Sequence, residues 1–170
     1  MRSNIFLFIL LVFLQIFVLN KILFFDYIII SPIIMFLILF KYNKDSKKSL
    51  LIGFFLGLLV DVFNNSLGTY SIICVIIMYF RNLWVLKVVG EERTDELNLL
   101  SVHELGNFQF FYYSFPILFL FFLFLSFLES EIIISSDNIL FVILSCVTNY
   151  IIMLTFQYLF LKFNFKNEWR

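Results

Sequence analysis

The stretch Gly53-Phe-Phe-Leu-Gly57-Leu-Leu-Val-Asp61-Val-Phe-Asn64-Asn-Ser-Leu-Gly68 sets a carboxylate inside an otherwise apolar run. A charge in hydrocarbon costs several kcal/mol, so Asp61 must face protein or water rather than lipid. Gly53, Gly57 and Asp61 are spaced i, i+4, i+8, and Asn64 and Gly68 would prolong the stripe if the helix ran on; at about 100° per residue all five fall within an arc of roughly 80°. One face is small and polar and the rest is Phe and Leu. Small residues four apart let a neighbouring backbone approach closely, which in lipid replaces the missing hydrophobic driving force.

The chain around this stretch has the composition of an integral membrane protein. Of its 170 residues 62% are hydrophobic and only 14% charged, Phe alone accounts for 26, and mean hydropathy is +1.01. With about 20 residues per span there is room for about six transmembrane helices and no soluble domain. The expected fold is therefore an all-α bundle in a single polytopic domain, 1–170, with apolar segments at 4–19, 27–40, 50–63, 67–86, 108–128 and 139–161 and a polar loop at 87–107. Segments two and three are short. Fourteen residues rise about 21 Å against a hydrocarbon core of about 30 Å, so this pair borrows flanking residues, thins the bilayer, or enters without crossing.

Charge distribution favours crossing. With six crossings and the N-terminus inside, eleven of the twelve Lys and Arg residues fall on one side, among them Lys41, Lys44, Lys47, Lys48, Arg81 and Lys87, leaving only Lys21 outside. The positive-inside rule makes these residues topology determinants and both termini cytoplasmic. The first segment follows Arg2 but ends in Leu19-Asn20-Lys21 without the small residues of a cleavage site, so it is expected to stay in the membrane, with Gln15 available to hydrogen-bond a neighbouring helix. Pro32 and Pro116 are expected to start or bend their helices and to free a carbonyl.

Alanine is absent throughout, so close helix contacts fall to five Gly and to Ser and Thr. Cys74 and Cys146 both lie in apolar runs, where thiols serve packing. His103 is the single histidine, in a loop of mixed charge that reads as a solvated linker or a short surface helix, and no second ligand stands at metal spacing. No nucleophile elbow, zinc-binding helix, phosphate loop or dinucleotide fingerprint is present. Asp61 follows Val60 and has no membrane aspartate to share a proton with, so a proteolytic dyad is not indicated. No catalytic residue, metal or cofactor is expected. Asp61 keeps three readings: an ion or proton relay, a water-accessible cap of the following turn at the outer interface, or a partner of donors or a cation inside the bundle. Arg81 falls towards the opposite side, which argues against a direct pair.

Four groups of residues taken in order resemble the rod shape-determining MreD family. They are Phe13-Leu14-Gln15-Ile16-Phe17-Val18-Leu19-Asn20, Phe25-Asp26-Tyr27 with Pro32, the Gly53 to Gly68 block, and Gln157-Tyr158-Leu159-Phe160. The chain departs from the family pattern at Thr69-Tyr70. The resemblance implies a non-enzymatic component of the bacterial inner-membrane elongation complex, which organises lateral peptidoglycan synthesis and cell shape. It also implies as partners the bitopic protein MreC and, directly or through it, the actin-like MreB, a transpeptidase and a glycosyltransferase. The implied fold is similar to the six-helix substrate-binding component of energy-coupling-factor vitamin transporters. The competing expectation is a vitamin-capture subunit of such a transporter, for which Tyr70, Asn64, Asn65 and Trp84 would have to line an outward pocket.

Overall fold

The computed structural model describes residues 28–43, 46–97, 99–129 and 136–160, and all its regular elements there are helices. They are α1 (Pro32–Leu39), α2 (Ser46–Asn64), α3 (Thr69–Val89), α4 (Glu91–Glu96), α5 (Val102–Leu105), α6 (Asn107–Glu129) and α7 (Ser136–Phe160). Thr69–Val89, Asn107–Leu128 and Asp137–Leu159 are long and apolar enough to cross a membrane, which marks the chain as a membrane protein. The first apolar segment, with Gln15, lies outside the described residues.

Local chemistry sets each boundary. Pro32 occupies the first turn of α1, where its missing N–H is no loss. α2 begins four residues before the apolar run expected at 50–63, taking in Lys47 and Lys48, whose charged ends stay exposed at the helix terminus. Its nineteen residues rise about 28 Å, enough to approach the hydrocarbon thickness. α2 ends where Asn65 turns left-handed at φ 57° and the Ser66 N–H returns to the Asp61 carbonyl at 3.1 Å. Gly68, at φ 87°, completes the reversal into α3, and Gly90, at φ 89°, stops α3. The loop expected at 87–107 is more ordered than a linker: α3 runs on to Val89, and α4 and α5 follow.

Pro116 lies inside α6 and removes the N–H that would bond the Tyr112 carbonyl. Trp84 Nε1 of α3 donates to that freed carbonyl at 3.2 Å. A backbone group that lipid could not satisfy is thus satisfied by a neighbouring helix, the specific task of Trp84.

α3 and α6 run antiparallel through the centre, as the pairs Arg81–Tyr113, Trp84–Tyr112 and Val88–Gln109 require. α7 lies antiparallel on α6, with Tyr150 edge-on to Phe111 and Phe115 and Phe141 edge-on to Phe122. α2 packs on the other flank of α3 and makes no comparable contact with any other described helix. Between α3, α6 and α7 sits α1, with Ile33, Ile34, Leu37 and Ile38 almost wholly buried. Eight helical residues rise only about 12 Å. The apolar segment expected at 27–40 is therefore a short helix with extended flanks rather than a continuous span.

Candidate functional site

The α2–α3 hairpin is built on a backbone-to-backbone approach. A Cβ added to Gly57 would lie 2.5 Å from the Ser71 Cα and 2.6 Å from the Tyr70 carbonyl oxygen, and one added to Gly53 would lie 2.8 Å from the Met78 Cγ and 3.0 Å from the Cys74 carbonyl oxygen. The glycine face is filled by α3 of the same chain. Asn64 and Gly68 do not extend it, because α2 stops at Asn64 and a Cβ on Gly68 would meet nothing within 4 Å. Gly68 serves the turn, through its positive φ.

One turn beyond Gly57, Asp61 is 4% exposed and its carboxylate is saturated. Oδ1 accepts from the Tyr70 N–H at 2.9 Å and the Ser66 hydroxyl at 2.5 Å, while Oδ2 accepts from the Ser71 N–H at 2.8 Å and the Ser71 hydroxyl at 2.5 Å. Tyr70 and Ser71 are the second and third residues of α3, whose N–H groups have no partner within their own helix. An N-cap side chain normally takes these bonds, but the N-cap here is Gly68 and has none. Asp61 caps α3 from the preceding helix, and its charge also faces the positive end of the α3 dipole. Of its three sequence readings, this geometry combines turn-capping with donor pairing inside the bundle. A shallow groove lined by Phe54, Leu58, Ser66, Leu67 and Ile72 runs beside it.

The second polar construction holds the short helix α1 at both ends. At its start, the Ser31 N–H donates to Asn149 Oδ1 at 2.8 Å, the Ile29 N–H donates to Ser145 Oγ at 3.1 Å, and Asn149 Nδ2 returns a bond to the Ile29 carbonyl at 2.7 Å. At its end, Tyr113 donates to the Ile38 carbonyl at 2.8 Å, and Arg81 donates through Nε to the Tyr113 hydroxyl at 2.8 Å and through its terminal nitrogen to the Phe40 carbonyl. A cation at the carbonyl end of a helix is favourably placed against the dipole. Irregular backbone beside a short membrane helix persists only where protein supplies partners, and three helices supply them here.

Arg81 is therefore not one of the exposed charges that set topology. It is wholly buried, whereas Lys41, Lys47, Lys48 and Lys87 are exposed and Lys44 lies outside the described residues. Arg81 and Asp61 form no pair. Arg81 is ten residues along α3 from Ser71, about 15 Å at the helical rise.

The exposed Lys41, Lys47, Lys48, Lys87 and Arg93 all gather at one end of the bundle. α7 returns to this end, where Gln157 Oε1 accepts from the Val102 N–H at 2.7 Å and Tyr158 donates to Asn107 at 2.8 Å. His103 lies edge-on to Tyr158, and its Nε2 is 3.3 Å from the Gln157 carbonyl oxygen. Among the described residues no three His, Cys, Asp or Glu side chains are grouped for a metal.

Of the residues expected to line a capture pocket, Asn64, Asn65 and Tyr70 lie together at the α2–α3 turn, but Trp84 does not join them. Tyr70 is buried beneath the hairpin tip and Trp84 lies fourteen residues further along α3, about 21 Å away. Sequence reasoning missed Asn149, Ser145, Tyr113 and Ser71. Asn149 alone carried a signal, as an amide in the middle of an apolar segment. Compared with family models, with curated proteins and with solved structures, the chain matches none.

Proposed function

We propose that the chain is a non-catalytic, multi-pass scaffold of the bacterial inner membrane, of the MreD type. It would bind the membrane helix of an MreC-like partner and help organise the proteins of lateral peptidoglycan synthesis: the actin-like MreB, the transpeptidase and the glycosyltransferase. In this reading about six helices cross, with the lysine-rich end and both termini in the cytoplasm. The fold analogy to the substrate-binding component of energy-coupling-factor transporters belongs to the same proposal.

The observation that carries it is how Asp61 and Arg81 are used. Both are held by neighbouring helix ends, Asp61 on the start of α3 and Arg81 on the end of α1. A proton or ion relay needs a group that can change partners, and a carboxylate holding four donors is poorly suited to that. What remains for function is helix surface. α2, which among the described helices packs mainly on α3, turns Phe54, Phe55, Leu58, Leu59 and Val62 outward, and these offer a flank on which a single partner helix could lie.

Collection of the end charges Lys41, Lys47, Lys48 and Lys87 at one end supports the cytoplasmic assignment of that end. The test is co-purification of the tagged chain from its native membrane in nanodiscs, with partners identified by mass spectrometry. Recovery of an MreC-like protein with the elongation synthases is the expected result. Recovery of an ATPase and a bound vitamin would replace the scaffold with a capture subunit.

A further inference from the structure

We propose that the segment between Gly90 and Gly106 is a hinged strap, latched across the lysine-rich end of the bundle, that opens there while the long helices stay folded. The proposal does not rest on the scaffold reading.

The strap's described residues, 91–97 and 99–105, divide by polarity. Glu91, Glu92, Arg93, Asp95 and Glu96 of α4 are exposed, whereas Leu97, Leu100, Val102 and Leu105 are each less than 10% exposed. Its charged half stays in water and its apolar half turns into the bundle. Arg93 donates to the Glu104 carbonyl at 3.0 Å and to Gln109 Oε1 at 3.0 Å, the first of these tying the two halves together.

The apolar half closes on two helix ends. The last carbonyls of a helix have no partner within it, and at the end of α1 three in succession are met by three different elements. Tyr113 of α6 donates to Ile38, the Leu100 N–H of the strap donates to Leu39 at 3.3 Å, and Arg81 of α3 donates to Phe40. At the end of α7, Gln157 Oε1 accepts from the Val102 N–H at 2.7 Å, and His103 Nε2 lies 3.3 Å from the Gln157 carbonyl oxygen. The strap thus fastens the ends of α1 and α7 to each other.

Gly90 and Gly106 supply the hinges. They stand at φ 89°, ψ 153° and φ 82°, ψ 158°, a region of backbone open essentially to glycine alone. A Cβ added to either would meet nothing within 4 Å, so the conformation, and not lack of space, requires glycine. Both fall at the boundaries of the strap with its neighbours α3 and α6, where a few residues can absorb a change of φ and ψ.

The closed latch is incomplete. Gln157 Nε2 is buried and has no hydrogen-bond partner. Opening would give that donor water, which offsets part of the bonds lost at Leu100 and Val102. The strap is therefore placed among the segments that open well below the free energy of global unfolding. Opening uncovers the Leu39 carbonyl and the apolar side chains of Leu97, Leu100, Val102 and Leu105 at the lysine-rich end.

The test is hydrogen–deuterium exchange of the purified full chain in phosphatidylcholine nanodiscs, read at the Leu100 and Val102 amides and, as reference, at Ile77 and Met78 in the middle of α3. In the wild type the strap amides should exchange about 100-fold faster than the reference amides, yet more slowly than unprotected chain. Gln157→Leu removes the acceptor of the Val102 N–H and should speed strap exchange about tenfold. Gly106→Ala strains the closed backbone without touching the latch and should do the same. Neither should change the reference amides. Wild-type strap amides as slow as those of α3 would overturn the proposal, because the strap would then move only when the protein unfolds. So would variants that leave strap exchange unchanged, or that speed exchange equally in the strap and in α3.

Discussion

Replacing Gly57 by Ala adds one methyl group at the tightest point of the hairpin, and the structure sets what that methyl must displace. All three of its nearest neighbours are backbone: the Ser71 Cα at 2.5 Å, the Tyr70 carbonyl oxygen at 2.6 Å and the Ser71 nitrogen at 2.7 Å. No rotamer change can relieve this. α2 and α3 must separate by about 1 Å to restore ordinary contact distances of about 3.5–4.0 Å. That separation pulls the Tyr70 and Ser71 N–H groups away from Asp61, from 2.9 and 2.8 Å to beyond hydrogen-bonding range.

Overpacking alone costs about 1–3 kcal/mol, and two polar contacts at a membrane average of about 0.6 kcal/mol each bring the total to about 2–4 kcal/mol. Gly53→Ala serves as the internal comparison. There the closest atom is the Met78 Cγ at 2.8 Å, on a side chain that can swing, with the Cys74 carbonyl oxygen at 3.0 Å, so about 1–2 kcal/mol is expected. Unfolding in mixed micelles of increasing denaturing detergent, followed by tryptophan fluorescence, gives both differences. An unchanged Gly57→Ala protein, or one less affected than Gly53→Ala, would refute the close backbone approach. Because α3 of the same chain fills the glycine face, the loss should appear in the isolated protein, with no partner present.

Asp61→Asn keeps size but gives one face of the side chain N–H groups where it met donors. It should cost about 1–3 kcal/mol in the same assay, more than Ser71→Ala, and equal costs would count against the cap. Tyr113→Phe frees the Ile38 carbonyl and removes a partner of Arg81, for an expected loss of about 1–2 kcal/mol, while an unchanged midpoint would show that α1 does not depend on this bond. Asn149→Leu removes both bonds to the chain entering α1 and should increase proteolysis within residues 28–31 in detergent; equal cleavage in the two proteins would remove Asn149 from that role. Leu67→Cys at the hairpin tip and Lys47→Cys at the start of α2 should react with an impermeant maleimide from opposite sides of a sealed vesicle, with the buried Cys74 and Cys146 silent. Labelling of both from one side would show that α2 does not cross.

The parts of the fold that were legible in the sequence are those written in local pattern. The three long apolar runs expected at 67–86, 108–128 and 139–161 became α3, α6 and α7 within a few residues. The i, i+4, i+8 spacing of Gly53, Gly57 and Asp61 identified a face that meets another backbone, because small residues have few other uses in a chain without alanine. Which backbone it meets was not legible. That depends on a short turn folding α3 onto α2, and the same stripe could have received a helix of another protein. The extension to Asn64 and Gly68 failed because Asn65 and Gly68 adopt positive φ, and Asn-Asn-Ser-Leu-Gly could have been read as a turn for that reason.

Arg81 shows the other limit. By charge counting it stood with Lys41, Lys47, Lys48 and Lys87 as a marker of the cytoplasmic side, and counting cannot distinguish a cation in water from one held inside. The difference lies in tertiary partners from distant segments: Phe40 at the end of a helix too short to look like one, and Tyr113, one of eight tyrosines. Only Asn149 offered a comparable signal, as a lone amide in mid-segment.

Asp61 and Arg81 thus perform the same task at opposite ends of helices. One completes the amide end of α3 across a turn whose N-cap is glycine, and the other completes the carbonyl end of α1, which stops inside the bundle. Lipid supplies neither donors nor acceptors, so every helix end that falls below the interface demands such a side chain. A charge within an apolar segment is therefore first a candidate for the end of some other helix, and becomes a candidate for transport or catalysis only when bonds remain unmet around it. By that criterion Asp61, with four donors on its carboxylate, is complete, and Arg81, bonded to Tyr113 and to the Phe40 carbonyl, is first of all the end of α1.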